Sequence, residues 1–136
     1  MPSSITSSEP TRVLIVDDNE AMVARAAAAL RRCCLVVGSA PDGRAAIEAA
    51  QTLKPDVIVL DISMPGMSGF EVATRLREVG SPAAVVFLTV HDEEDIIEAA
   101  KAAGAIGYVV KPRLGSDLHV AVQEARAGRP FVSPAR

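Results

Sequence analysis

Four apolar runs along the chain each end in polar chemistry. Val13-Leu14-Ile15-Val16 leads into Asp17 and Asp18, Val57-Ile58-Val59-Leu60 into Asp61, and Val85-Val86-Phe87-Leu88 into Thr89. Tyr108-Val109-Val110 leads into Lys111, with Pro112 behind it. Such a run reads as a strand buried on both faces of a parallel sheet. A short run, Leu35-Val36-Val37, predicts one more strand. Helical stretches separate them. Asn19 to Arg32 is rich in alanine, a strong helix former. Ala46, Ile47, Ala50 and Leu53 make an apolar stripe, and a third helix is predicted from Phe70 to Val79. A fourth runs from Glu93 to Ala103, and Leu118, Ala121, Val122 and Ala125 mark a fifth. Five strands alternating with five helices imply a parallel sheet, right-handed crossovers and helices on both faces. Ligands in such sheets bind outside the carboxyl ends of the strands. Three carboxylates, one hydroxyl and one ammonium are therefore directed at a single crevice.

The 136 residues suffice for one domain, and the 49% of hydrophobic residues for a real core. That core must be aliphatic, because aromatic residues make up only 3%. The net charge of −3 gives no indication of a nucleic-acid-binding surface, and no stretch approaches a membrane span. Residues 1–11 read as a flexible polar tail. Met1 to Pro10 lacks the basic and apolar regions of a signal peptide, so a soluble cytoplasmic protein is expected. Cys33 and Cys34 are neighbours, and a bond between neighbours is strained. Two free thiols at a strand entrance are expected, with a redox switch as the alternative.

Clustered carboxylates repel one another, which either keeps some protonated or calls for a cation. An all-oxygen cluster suits Mg²⁺. Asp42 and Asp117 are read as ordinary loop or helix caps, and Asp92-Glu93-Glu94-Asp95 as acids favoured at a helix start.

The order and spacing of Asp17-Asp18, Asp61-Ile62-Ser63-Met64-Pro65-Gly66-Met67-Ser68-Gly69, Thr89, Tyr108 and Lys111-Pro112 resemble the receiver domain of two-component response regulators. The match runs over residues 12–128, leaving 129–136 as a C-terminal linker or tail. The resemblance implies a flavodoxin-like, doubly wound (βα)5 three-layer sandwich with a five-stranded parallel sheet in the order 2-1-3-4-5. It implies that Asp61 accepts a phosphoryl group from the phosphohistidine of a sensor histidine kinase. By the same resemblance, Asp18 ligates Mg²⁺ directly, Asp17 mainly through water, and Ser63 through its backbone carbonyl. Lys111 and Thr89 contact the phosphoryl oxygens, and Thr89 and Tyr108 form the switch. The Lys111–Pro112 bond is expected to be cis. Val90 stands where the family usually has Ala or Gly, and with His91 is expected to modulate access to Asp61. Met64 is read as packing.

The resemblance further implies a signalling domain, not an enzyme, whose face from the fourth to the fifth helix, or from the first with the fifth, controls output or a phosphorylation-linked homodimer. It implies no direct contact with nucleic acid or membrane by this domain. Gly128-Arg129-Pro130-Phe131-Val132-Ser133-Pro134 resembles the linker of regulators that continue into a tetrahelical helix-turn-helix output domain. An excised receiver and a stand-alone one both remain open. Two rivals are a degenerate receiver serving as a phosphorylation-independent interaction module and a Mg²⁺-dependent aspartyl phosphohydrolase. The latter wants a second acid two residues beyond its nucleophile, where this chain has Ser63 after Asp61 and Asn19 after Asp17.

Overall fold

The computed structural model describes residues 9–134. The elements are β1 (Thr11–Val16), α1 (Glu20–Leu30), β2 (Cys34–Ala40), α2 (Gly43–Leu53), β3 (Val57–Leu60) and α3 (Gly69–Glu78). They continue with β4 (Ala84–Thr89), α4 (Glu94–Ala102), β5 (Gly107–Val110), α5 (Leu114–Arg126) and β6 (Phe131–Val132). The strands form one parallel sheet in the order β2-β1-β3-β4-β5-β6. The expected order 2-1-3-4-5 and the flavodoxin-like α/β class are borne out, and a sixth strand extends the edge.

Alternation along each strand divides the core. Leu14, Val16, Ile58, Leu60 and Phe87 pack with Ala46, Ala50, Val72, Leu76 and Ala100 from α2, α3 and α4. Val13, Ile15, Val57, Val59 and Val86 pack with Ala26 and Leu30 of α1 and Leu118, Ala121 and Val122 of α5. Both faces are apolar, which explains the unbroken hydrophobic runs. Each fully buried aliphatic side chain contributes about 1.5–3 kcal/mol through removal from water. No helix among the described residues is long and apolar enough to cross a membrane.

The central strands set the height of the polar residues. Val16 pairs with Leu60 across β1 and β3, and the Asp61 amide donates to the Val16 carbonyl at 3.0 Å. The Asp17 amide donates to the Ala40 carbonyl of β2, also at 3.0 Å. The two acids thus leave the sheet side by side, where the winding reverses direction.

Three boundaries differ from the sequence reading. Thr11, placed in the tail, opens β1; residues 1–8 of that tail and 135–136 of the linker lie outside the described residues. β2 extends to Ala40 instead of ending at Val37. Its register slips between Val13 and Leu14, which pair with Val36 and Gly38. As an edge strand with Gly38 and Ser39, it has no apolar run to announce its second half. The third difference is β6, where Phe131 and Val132 pair with Gly107 and Tyr108. Part of the expected linker is therefore sheet.

Helix starts follow local chemistry. The side chains of Asn19, Asp42 and Ser68 accept from the backbone amides of Met22, Ala45 and Glu71, capping α1, α2 and α3. Asp42 is thus the ordinary cap expected of it. Gly69 begins α3 directly under the loop after Asp61, its amide donating to the Ile62 carbonyl at 2.7 Å. A Cβ there would lie 2.8 Å from Ile62 Cα and closer still to the Asp61 carbonyl oxygen. Both are backbone atoms, so the loop itself must move. Gly69→Ala is expected to lower unfolding free energy by about 1–3 kcal/mol, the usual cost of overpacking. Urea unfolding checks this, and an unchanged midpoint would show that the loop yields freely.

Candidate phosphoacceptor and cation site

At the carboxyl end of the sheet, Asp17, Asp18 and Asp61 each offer an oxygen, all within 4.8 Å of one another. Asp17 and Asp61 are buried and Asp18 is exposed. Asp17 accepts from the Asn19 amide at 2.9 Å, and Asp61 from the Ser63 amide at 3.4 Å. Lys111 reaches over from the end of β5. Its Nζ lies 3.3 Å from Asp17 Oδ2 and 3.5 Å from Asp61 Oδ2.

Burial pushes the Asp61 carboxyl above its ordinary value, and Asp17 adds repulsion; the Lys111 charge and the Ser63 amide pull it down without cancelling the effect. One ammonium therefore undercompensates this acidic pocket. An all-oxygen donor set that is short of positive charge fits a hard divalent cation. The site could equally place such a cation beside a phosphoryl group on Asp61.

Thr89 is fully buried at the end of β4. Its hydroxyl accepts from the His91 amide at 3.3 Å and so holds the following loop. Tyr108 is also buried, and its hydroxyl donates to the His91 carbonyl at 2.9 Å. Its ring packs edge-on to Phe87 with centroids 6.5 Å apart. Burial, then Glu93 and Asp92, push the Tyr108 hydroxyl up to about 12, so it remains a donor at neutral pH. His91 Nε2 lies 3.3 Å from Ser63 Oγ, and its Nδ1 lies 3.5 Å from Glu93. The loops after β3 and β4 are thereby joined across the mouth of the crevice. Val90 is 65% exposed, so it is no part of the core.

One expectation is overturned. The Lys111–Pro112 bond is trans; no described residue has a cis peptide. Lys111–Arg113 form a 3-10 turn leading into α5, with Pro112 in its first positions. Proline's preset φ and missing amide hydrogen suit the opening of a helical turn. That turn carries Lys111 to both carboxylates without a change of isomer.

Sequence reasoning missed a second polar cluster. Asp117, read as a cap, is buried. Arg113 Nε and Ser133 Oγ donate to its Oδ2, each at 2.8 Å, and Ser116 Oγ donates to Oδ1 at 2.9 Å. Ser133 also accepts from the Val110 amide and donates its own amide to the Tyr108 carbonyl at 2.8 Å. The segment after α5 is thus fastened beside Tyr108 and Lys111. Only the short apolar pair Phe131-Val132 could have signalled it.

Burial acts to raise the Asp117 carboxyl, but the bonds from Arg113, Ser133 and Ser116 and the Arg113 charge outweigh it and hold it below the ordinary range. A carboxyl lowered in the folded state contributes stability above its unfolded value, about 4. That contribution is lost as pH falls through the folded value. Between pH 5 and pH 3, wild type should lose more stability than Asp117→Asn, measured by urea midpoint. Equal losses would contradict the clamp.

A family model described as the response regulator receiver domain matches residues 13–123. The nitrate/nitrite response regulator protein NarL of Escherichia coli K12 is 37% identical over 134 residues, covering 96% of this chain and 62% of that protein. The positive alginate biosynthesis regulatory protein of Pseudomonas aeruginosa is 42% identical over 116 residues, covering 83% and 46%. Among solved structures, the signal receiver domain of the putative response regulator NarL from Mycobacterium tuberculosis superposes with a TM-score of 0.84. It is 36% identical and covers 89% of this chain and 99% of that one. The chain thus spans less than two thirds of the length of these two curated regulators.

Proposed function

We propose, on the premise that this chain belongs to the response regulator receiver family, that Asp61 is its phosphoacceptor. A sensor histidine kinase supplies the phosphoryl group, and Mg²⁺ is held by Asp17, Asp18, Asp61 and the Ser63 carbonyl. The domain acts in the cytoplasm as a signalling switch and turns over no other substrate. The observation that carries the reading is the Lys111 ammonium lying against both Asp17 and Asp61, with Asp18 beside them.

The chain's own residues account for most of the chemistry. The Asp61 carboxylate attacks phosphorus, and the phosphohistidine nitrogen leaves. Phosphoryl transfer depends mainly on positioning and charge neutralisation. Lys111 supplies a point charge and Thr89 a hydroxyl donor, while the cation, when bound, neutralises charge on the phosphoryl oxygens. If Thr89 turns its hydroxyl to the phosphoryl group, it releases the His91 amide, and the Tyr108 contact to the same residue shifts with it. This alters the face from α4 to α5, or that of α1 with α5, which controls output or homodimerisation. A helix-turn-helix output domain joined beyond β6 would make the regulator a transcription factor; the receiver itself contacts no nucleic acid and no membrane.

The test is intact mass after exposure to acetyl phosphate. Gain of one phosphoryl group with Mg²⁺, and none with chelator, is expected. No gain in either condition would favour the degenerate-module reading, and turnover of a phosphomonoester the hydrolase.

Val90 and His91 modulate entry. The exposed valine stands next to Thr89, where a smaller side chain opens the mouth to small donors and to water. Val90→Ala should speed both acetyl phosphate labelling and dephosphorylation by about two- to tenfold, a barrier change of roughly 0.4–1.4 kcal/mol. Mg²⁺ affinity should hardly change. Rates equal to wild type would remove Val90 from any gating role.

A further inference from the structure

Cys33 and Cys34 lie at the opposite end of the sheet from the acidic cluster. Cys33 closes the turn after α1, and Cys34 opens β2 in register with Thr11. The sulfurs are in contact at 2.7 Å, and the Cys33 thiol also lies 3.6 Å from the Leu30 carbonyl. Both side chains pack against the core under α1 and α5, yet both are only half-buried. A structural cysteine is normally enclosed and inert. This pair is accessible, and its sulfurs are each other's closest hydrogen-bonding partners.

We propose that Cys33 and Cys34 form a reversible two-electron oxidation site whose oxidant is a low-molecular-weight disulfide. The Cys33 thiolate attacks one sulfur of the disulfide. A mixed disulfide forms on Cys33, and the first small thiolate leaves, taking up the proton that Cys33 lost. Cys34 then gives up its proton and attacks the Cys33 sulfur. The bond from Cys33 to the small thiol breaks, and the second small thiol leaves with that proton. Two protein thiols become one disulfide, and one small disulfide becomes two thiols.

The order of attack follows from the positions of the pair: Cys33 sits in the turn after α1, whereas Cys34 is fixed in the first pairing of β2. Burial and the contact with Cys33 raise the Cys34 thiol, the nearby Arg126 charge opposing them. Cys34, held in the sheet beside Thr11, serves as the second nucleophile. The product is strained by construction. Neighbouring Cα atoms lie about 3.8 Å apart, whereas disulfide-bonded residues usually lie about 4.4–6.8 Å apart. Strained, exposed disulfides are the labile ones, which suits a reversible site. Closing the ring disturbs the first pairing of β2 with Thr11. The Thr11 hydroxyl accepts from Arg126 of α5 at 3.0 Å, and the same guanidinium holds the Glu9 carbonyl. Oxidation therefore reaches the α1–α5 side of the domain.

The experiment treats the whole chain with excess oxidised glutathione, quenches with acid and reads intact mass. Wild type should lose two hydrogens, retain no glutathionyl group and recover on reduction. Cys34→Ser should trap one glutathionyl group on Cys33. Cys33→Ser should trap it more slowly, because its remaining thiol is held in the first pairing of β2. Wild type that keeps a glutathionyl group, forms a covalent dimer or stays fully reduced would overturn the proposal. Equal trapping rates in the two variants would overturn the assigned order of attack.

Discussion

Replacing Asp61 by asparagine is expected to reduce phosphoryl uptake to background while leaving the sheet and helices intact. The amide keeps the shape of the side chain but is no nucleophile toward phosphorus. The neighbouring acids do not substitute for it. Asp17 is engaged by the Asn19 amide and Lys111, and Asp18 is exposed at the rim. The same variant should be more stable than wild type in metal-free buffer. The Asp61 carboxyl is raised in the folded protein, chiefly by burial, so folding favours its protonated form. For such a group the favourable contribution belongs to low pH and is lost as pH rises through the folded value. At neutral pH the ionised carboxylate weighs against the fold, and Asn removes that burden. Thermal unfolding at pH 7 should show a higher midpoint for Asp61→Asn, with the gap closing below about pH 4. Retained labelling would move the acceptor elsewhere.

Asp18→Ala is the second change of large effect. Asp18 is the exposed member of the trio, so its removal disturbs no packing. It takes away a hard oxygen donor. Changes to groups behind the ligands already cost about ten- to a hundredfold in metal affinity, and loss of a ligand should cost at least that, about 1.4–2.7 kcal/mol. Calorimetric titration with Mg²⁺ measures it directly. Removing one acid from a repelling trio should also raise the metal-free stability modestly. Unchanged Mg²⁺ affinity would contradict the ligand assignment.

The residues that met in the site were legible because of how a parallel sheet is buried. A strand covered on both faces must be apolar throughout, so Asp17, Asp61, Thr89 and Lys111 stand out where the run stops. Strand order came from the family resemblance, since periodicity contains no information about neighbours. β6 escaped notice because a two-residue edge strand has no periodicity, and Pro130 and Pro134 on either side suggest a linker. The bonds joining Ser133 to Asp117 and Val110 span 16 and 23 residues and leave no local trace. The contact of His91 with Ser63 likewise depends on how two loops meet. The cis bond was inferred from resemblance alone, whereas the local sequence, proline at the mouth of a helical turn, is satisfied by trans. Val90 was legible as unusual, but only the structure shows how exposed it is.

The central claim is that Asp61 carries the phosphoryl group, and locating that group tests it most directly. The chain is labelled with acetyl phosphate and Mg²⁺, then reduced with borohydride, which converts an aspartyl phosphate to homoserine, and the converted position is mapped by peptide mass spectrometry. Conversion at Asp61 alone is the predicted result; conversion at Asp17 or Asp18 instead, or a labelled chain with no converted aspartate, would contradict it.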